Sequence, residues 1–213
     1  LLLVNYLHFD VEHRRGHHVR VGTHADPATA RWGEGFWAFL VRTVPGQFAS
    51  AVELERERLA KRRQSGPHLN FVWRAVALQV AVAAGLFWLL GGAALGAYLV
   101  QSLVAVVLLE FVNYIEHYGL LRAEGERVGP HHAWQSDTLS SRFMLFELSR
   151  HADHHAHTVK PYHTLVSHAE GYQLPSGYFG VFYLGMIPPL WFRVIHPIIE
   201  RHQARRGAGV AVD

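Results

Sequence analysis

The sequence predicts an all-α integral membrane protein, a transmembrane helical hairpin with a cytoplasmic cap rich in histidine. Three observations carry this prediction. Residues Ala75 to Leu109 contain no Asp, Glu, Lys, Arg or His. The pair Gly91-Gly92 falls in the middle of that run, where a turn would divide it. Three short histidine boxes, holding seven of the 17 histidines, flank it. Half of the residues are hydrophobic while the mean hydropathy is only +0.05, so apolar and polar blocks are segregated along the chain.

Residues 1–70 form the first expected segment. Leu1-Leu2-Leu3-Val4-Asn5-Tyr6-Leu7 has neither Met nor the basic start of a signal peptide. It reads as the end of an apolar helix cut in the middle, and the chain is expected to be a fragment of a longer protein. The first box, Glu12-His13-Arg14-Arg15-Gly16-His17-His18, follows. Ala51 to Arg63 is charged and helix-forming, and is expected as a helix facing water or lipid headgroups.

Residues 71–117 form the expected hairpin. A single helix over the 35 uncharged residues would be about 52 Å long, against a hydrocarbon core of about 30 Å. A turn at the glycine pair gives two spans, Phe71 to Leu90 and Ala93 to His117. Gly92 and Gly96 have the small-xxx-small spacing of close helix packing, and Gly85 is the candidate border of a substrate passage. Near the end of the second span Glu110, Asn113 and His117 recur at i, i+3 and i+7, a polar stripe on an apolar helix. An ionisable group at membrane depth is costly, which marks Glu110 as a functional candidate.

Residues 118–213 complete the cap. They hold Arg150-His151-Ala152-Asp153-His154-His155, an aromatic stretch from Tyr178 to Phe192 interrupted by Pro188-Pro189 and too short to span, and a tail after Arg201 expected to fray. Of the 20 basic residues ten lie between Arg14 and Arg63, one is Arg74 and nine lie between Arg122 and Arg206. None is in the hairpin turn. Both polar segments therefore share one side, which the positive-inside tendency makes the cytoplasm, so the chain is placed as a multi-pass protein of the inner (cytoplasmic) membrane with its site on the cytoplasmic face.

The boxes carry the chemistry. Residues three and four apart on a helix share a face. His13 and His17 stand at i, i+4 with His18 adjacent, and His151, His154 and His155 at i, i+3, i+4, so each triplet can offer two or three imidazoles to one point. Imidazole suits Fe, Zn, Cu and Ni alike. A chance cluster or a structural zinc site is the competing reading. The chain has no cysteine, which excludes disulfides, thiolate haem, cysteine-ligated iron–sulfur clusters and Cys-type zinc sites. The sequence pI of about 9.4 comes without a lysine-rich tail or nucleic-acid motif, so a lipid surface or an acidic protein is the expected partner and no nucleic acid is.

These residues resemble the membrane-bound, non-haem di-iron alkane 1-monooxygenases of the AlkB type. The resemblance rests on the Glu-His-x-x-Gly-His-His box, Asp26-Pro27-Ala28-Thr29-Ala30-Arg31, the stretch Asn113-Tyr114-Ile115-Glu116-His117-Tyr118-Gly119-Leu120, Leu174-Pro175-Ser176-Gly177-Tyr178 and Pro188-Pro189-Leu190-Trp191-Phe192-Arg193. It implies two iron ions held by His13, His17, His18, His117, His151, His154 and His155, with two further ligands in a His-Glu-x-x-His box upstream of Leu1. Glu12, Glu116 and Asp153, each beside a ligand in sequence, are candidates to accept imidazole N–H bonds and fix tautomers. The implied reaction inserts one oxygen atom of O2 into the terminal methyl of a medium or long-chain n-alkane and reduces the other to water with two electrons. No flavin, nicotinamide or iron–sulfur motif is present to supply them. The resemblance implies rubredoxin with its reductase as donor, and Arg122, Arg127, Arg142 and Arg150 are candidates to steer it. Ala133 and Gln135 depart from a His-Ser-Trp-Asn-Ser motif and Ser149 from the Gln that usually precedes the last box. His131, His132 and His157 are read as polar lid residues. The rival functions are a hydroxylase of aromatic methyl groups or fatty acyl chains and a non-catalytic membrane metal-binding or transport protein.

Overall fold

The computed structural model describes residues 1–123 and 125–207. The described residues are mostly helical. Short helices α1 (His8–Glu12) and α2 (His18–Arg20) flank a π-helical turn at His13–His17, and long helices α3 (Phe36–Lys61), α4 (Phe71–Leu90) and α5 (Gly92–His117) follow. The remainder is α6 (Leu139–Met144), α7 (His151–Ala156), α8 (Gly177–Met186) and α9 (Pro188–Gly207). Two two-residue strands, β1 (Trp134–Gln135) and β2 (Tyr172–Gln173), pair in parallel with Trp134 opposite Tyr172. The chain forms two compact units, Leu1–Val19 with Arg42–Glu110, and Arg20–Val41 with the residues from Phe111 onward.

In the first unit α4 and the part of α5 up to Glu110 supply the two expected apolar helices. The Asn70 side chain caps α4 by accepting from the Val72 N–H at 2.9 Å, and Gly91, with φ 83°, ends it. Both helices are long and apolar enough to cross a bilayer, and only 17% and 22% of their apolar windows are buried. A soluble core helix would be mostly covered, so these outer faces suit lipid. A Cβ at Gly85, Gly92 or Gly96 would meet no atom within 4 Å among the described residues. The close packing expected at Gly92 and Gly96 is therefore not made among the described residues.

Three other expectations are corrected here. Leu2–Val4 is a single 3-10 turn, not a helix end, because Asn5 adopts the left-handed conformation (φ 55°) and is held there by Ser102 at 2.9 Å and Tyr98 at 2.9 Å. Ala51 to Arg63 is largely the last part of α3, whose Lys61 end precedes the expected limit. That stretch is not simply solvated. Ala51 is buried with Val11 and Val72, Leu59 is also buried, and the buried Glu55 accepts from Arg15, Arg58 and the Phe71 N–H.

In the second unit the start of α3 and the end of α5 pack through aromatic rings. Phe36, Phe39, Phe111, Tyr114 and Trp191 are each at most 2% exposed. Gly185 allows the close approach of α8, since a Cβ there would fall 2.8 Å from the Phe111 ring. Gly119, at φ 70°, stops α5 directly after His117, and its N–H donates to the Ala30 carbonyl at 3.0 Å. The Tyr178 to Phe192 stretch divides at Ile187, and Pro188 opens α9, where a missing N–H costs nothing. The tail does not fray at Arg201: α9 continues to Gly207, and the rest of that expectation falls on 208–213, outside the described residues.

Candidate metal centre

The first box owes its geometry to the π-helical turn. On an α-helix residues five apart point about 140° apart. Hydrogen bonding from i to i+5 brings them back toward one side, and such turns recur at functional sites. Here His13 Nε2 lies 3.1 Å from His18 Nε2, with ring centroids 4.4 Å apart, and the His13 and His17 rings stack at 5.2 Å. His17 is buried and His13 and His18 are half-buried. The turn is pinned through Arg15, which donates to Glu55 and to the Leu54 carbonyl.

In the second unit α5 and α7 bring three buried imidazoles together. His151 Nε2 stands 3.0 Å from His117 Nε2 and 2.9 Å from His155 Nε2. His151 and His155 share a face at i, i+4, while His117 ends α5. His154 is half-buried, its ring centroid 5.5 Å from that of His151 and 5.4 Å from that of His155. The trio fits a metal ion. Two ligand nitrogens at about 2.0–2.1 Å from an ion and at a right angle lie about 2.9 Å apart, which matches both spacings.

The candidate carboxylates divide into different roles. Glu12 and Asn113 are buried in α1 and α5. Glu110 is fully buried in the first unit and accepts from Tyr6 Oη at 2.8 Å, Gln47 Nε2 at 2.8 Å and Thr43 Oγ1 at 3.4 Å. These bonds tie α5 to α3 and the N-terminal segment. Glu116 accepts from Tyr178 Oη at 2.6 Å, and its other oxygen lies 3.2 Å from His151 Nε2. Asp153 points away from the trio and clasps the segment after α7. It accepts from His157 Nδ1 at 2.8 Å, His168 Nε2 at 2.9 Å, the Val166 N–H at 2.8 Å and Lys160. Burial pushes its carboxyl up, but those four donors outweigh it and hold it below the usual carboxylate range.

His157 is therefore a tether, and His131 and His132 form a separate group with Glu126 at 3.1 and 3.3 Å. The Gly129 N–H donates to His132 Nδ1 at 3.0 Å, and burial, then His131, brings His132 down to about 4. Gln135, at the departure from the motif, bonds both the N–H and the carbonyl of His168, joining the Asp153 clasp. Three of the proposed steering arginines have internal partners: Arg122 donates to the Val21 and Glu126 carbonyls, Arg142 to Glu147, and Arg150 to Asp137 and the Leu165 carbonyl. Tyr178, Gln47, Tyr6 and Lys160 were not legible as site partners, because sequence spacing cannot connect residues on different elements. The only signal was Tyr178 closing the Leu-Pro-Ser-Gly-Tyr stretch.

A mostly helical chain with two apolar helices of membrane-crossing length and a buried imidazole trio defines a class, membrane-type helical proteins with a candidate histidine metal site. Sequence comparison makes the assignment narrower: the chain matches the fatty acid desaturase family over residues 1–184, and it belongs to that family. It is 39% identical over 211 residues to alkane 1-monooxygenase 1 of Pseudomonas aeruginosa, covering 96% of this chain and 55% of that protein. Identity to the alkane 1-monooxygenase of Ectopseudomonas oleovorans is 41% over 201 residues, covering 92% and 50%. The xylene/toluene monooxygenase hydroxylase component XylM of Pseudomonas putida is 35% identical over 188 residues, covering 87% and 50%. The chain spans about half the length of the curated relatives it matches.

Proposed function

We propose that this chain is part of an alkane 1-monooxygenase that hydroxylates the terminal methyl of n-alkanes, with O2 as co-substrate and two iron ions as cofactor. The buried trio His117, His151 and His155 carries the reading, in a chain whose relatives include several alkane 1-monooxygenases at 36 to 41% identity. His13, His17, His18 and His154 complete the iron ligands supplied by this chain. Residues 71–117 lie in the inner membrane as a hairpin, and residues 1–70 and 118–213 face the cytoplasm, a placement supported by the distribution of basic residues.

When bound, iron would supply the redox chemistry that activates O2, which no side chain in this sequence can do. The chain's own part is to bind, orient and exclude. The imidazoles would hold the ions, His13, His18, His117, His151 and His155 through the Nε2 atoms that already face one another. Glu116 and Tyr178 fix the approach of α8 to the trio. The apolar faces of α4 and α5 favour a substrate dissolved in the bilayer. Two electrons per turnover come from a partner protein, for which rubredoxin with its reductase is the proposed donor, and among the steering candidates Arg122, Arg142 and Arg150 serve internal bonds first.

The reading is tested with membranes carrying the intact protein, an n-alkane and an electron-donor system, with the primary alcohol measured by gas chromatography. His151→Ala and His155→Ala are expected to lower product by more than about 100-fold, beyond the effect typical of a residue that only supports a ligand, and to lower iron content with insertion unchanged. An active preparation holding zinc alone would overturn it. The similarity to XylM supports a second reading, hydroxylation of aromatic methyl groups, which predicts faster turnover of xylene than of the n-alkane in the same assay.

A further inference from the structure

Where α3 ends and α4 begins, the first unit gathers more cations than its own acids balance. Arg14, Arg15, Arg58 and Arg74 stand around a cleft of about 350 Å3 whose acids are Asp10 and Glu55. A second cleft, of about 400 Å3, shares Arg15 and Arg58 and adds Lys61 and Arg62 against Glu57. Two of these acids are already engaged, Asp10 by Arg14, and Glu55 by Arg15, Arg58 and the Phe71 N–H. Arg74, Lys61 and Arg62 are exposed and make no ion pair among the described residues. The first backbone N–H groups of α4 are taken as well, Phe71 donating to Glu55 and Val72 to Asn70, so an anion here would meet side chains.

We propose that these adjoining clefts bind the phosphate headgroup of an anionic phospholipid, with Arg74 as the contact nearest the acyl chains. The proposal rests on the reading that α4 crosses the bilayer. Charge supports it, since the surplus calls for an anion and a guanidinium matches phosphate oxygens with paired N–H donors. Position selects the kind of anion. Leu69 and Phe71 line the first cleft, and Phe71 opens a helix on which Trp73, Leu78 and Val80 are exposed. A ligand seated there has its charged end on the arginines and an apolar end along α4, which describes a lipid and neither inorganic phosphate nor an acidic peptide. Depth agrees. Basic groups just outside a span meet the anionic headgroup layer, and exposed aromatic rings such as Phe71 and Trp73 favour the same level. Arg74 lies three residues into α4, about 4.5 Å along the axis, and its long stem lets the guanidinium reach back to that layer.

The experiment titrates the intact protein in detergent with phosphatidylglycerol and with phosphatidylcholine of the same acyl chains, counting bound lipid by native mass spectrometry. Insertion into phosphatidylcholine nanodiscs is measured in parallel. The wild type is expected to hold phosphatidylglycerol at least about tenfold more tightly, less than the attraction of two basic groups at a lipid surface. Arg74→Gln should lower that preference about fivefold, one basic group's worth, at an unchanged thermal midpoint, because Arg74 has no partner to lose in the fold. Arg63→Gln removes the same charge from an exposed position outside both clefts and should lower it by less than about twofold. Equal losses in the two variants would mean diffuse attraction, and no preference in a wild type that inserts would mean no site. Either result overturns the inference and leaves α4 as a span. Inorganic phosphate bound as tightly as phosphatidylglycerol would make the ligand free phosphate, and poly-glutamate bound more tightly than either would make the clefts a protein-docking face; both overturn the lipid assignment. If the wild type does not insert, the membrane reading fails and takes this inference with it.

Discussion

The first and last histidine boxes solve one problem by different windings of the backbone. His151-Ala152-Asp153-His154-His155 sits on a regular helix, where His151 and His155 share a face and meet at 2.9 Å. His13-Arg14-Arg15-Gly16-His17-His18 has one residue more between its first and second histidines, and an α-helix would turn His18 away from His13. The π-helical turn absorbs the extra residue and brings His18 Nε2 to 3.1 Å from His13 Nε2. Imidazole geometry is thus set by helix winding as much as by spacing. Each box is also moored by a buried carboxylate with a different duty, Glu55 gripping the first turn through Arg15 and Asp153 gripping the segment that follows the last box.

The sharpest way to break this comparison is to remove the extra residue. Deleting Arg14, whose exposed side chain pairs locally with Asp10, gives the first box the i, i+3, i+4 spacing of the last. If the π turn serves only to accommodate the insertion, the deletion is harmless. We expect damage, because α winding would put His17 three residues after His13 in place of four and so swing its buried ring to a new angle on the turn. The intact variant should lose about half of its iron, with a thermal midpoint lowered by several degrees, as a destabilisation of about 2 kcal/mol implies for a chain of this size. Wild-type iron content and midpoint, measured by metal analysis and calorimetry, would show that the winding is incidental.

The two apolar helices and the boxes were legible for a plain reason: lack of charge over a span's length and histidines at helical spacing are local properties of the chain. The helix limits Phe71–Leu90 and Gly92–His117 differ from expectation by one residue. What was not legible depends on partners distant in sequence. Glu116 and Tyr178 are 62 residues apart, and Glu110 and Gln47 are 63 apart. Nothing in the sequence around Asp153 says that it faces His168 and Lys160 rather than a ligand ring. The π turn was also hidden, since the i, i+4 pair His13 and His17 already accounted for the motif without it.

Asp153 gives the next largest effect and separates the two duties of a buried carboxylate. Asp153→Asn removes the anion that meets Lys160 and one of its acceptor oxygens. A hydrogen bond to a charged group contributes about 1.5–3 kcal/mol, and Asn keeps one acceptor oxygen, so a loss of about 1.5 kcal/mol is expected. Because Asp153 bonds to His157, Lys160, Val166 and His168 and not to the rings of the trio, amide exchange over residues 157–168 should accelerate while iron affinity changes by less than about threefold. A drop of about 10–100-fold in affinity at unchanged exchange would instead give Asp153 the ligand-supporting duty expected from its place in the sequence.

Glu55 gives the smallest effect, and it appears as a pH dependence. Burial raises its carboxyl, but hydrogen bonds from Arg58, Arg15 and the Phe71 N–H prevail and hold it below the ordinary value for glutamate. A depressed folded-state value means that the unfolded chain takes up the proton more readily. The stabilisation is therefore complete above the unfolded value, about 4.3, and is lost as pH falls below it through the folded value. Arg15 and Arg58 are partly exposed, so screening keeps the effect to about 1 kcal/mol. Glu55→Gln should unfold earlier than wild type at pH 7, and the gap between the two should shrink as pH is lowered from about 4.3. Iron bound through the first box should loosen in parallel, since Arg15 lies within the π turn that gathers His13 and His18. A gap that persists unchanged down to pH 3 would mean that the ionised Glu55 does not hold that turn, and the mooring of the first box would have to be sought in the Arg15 bond to the Leu54 carbonyl.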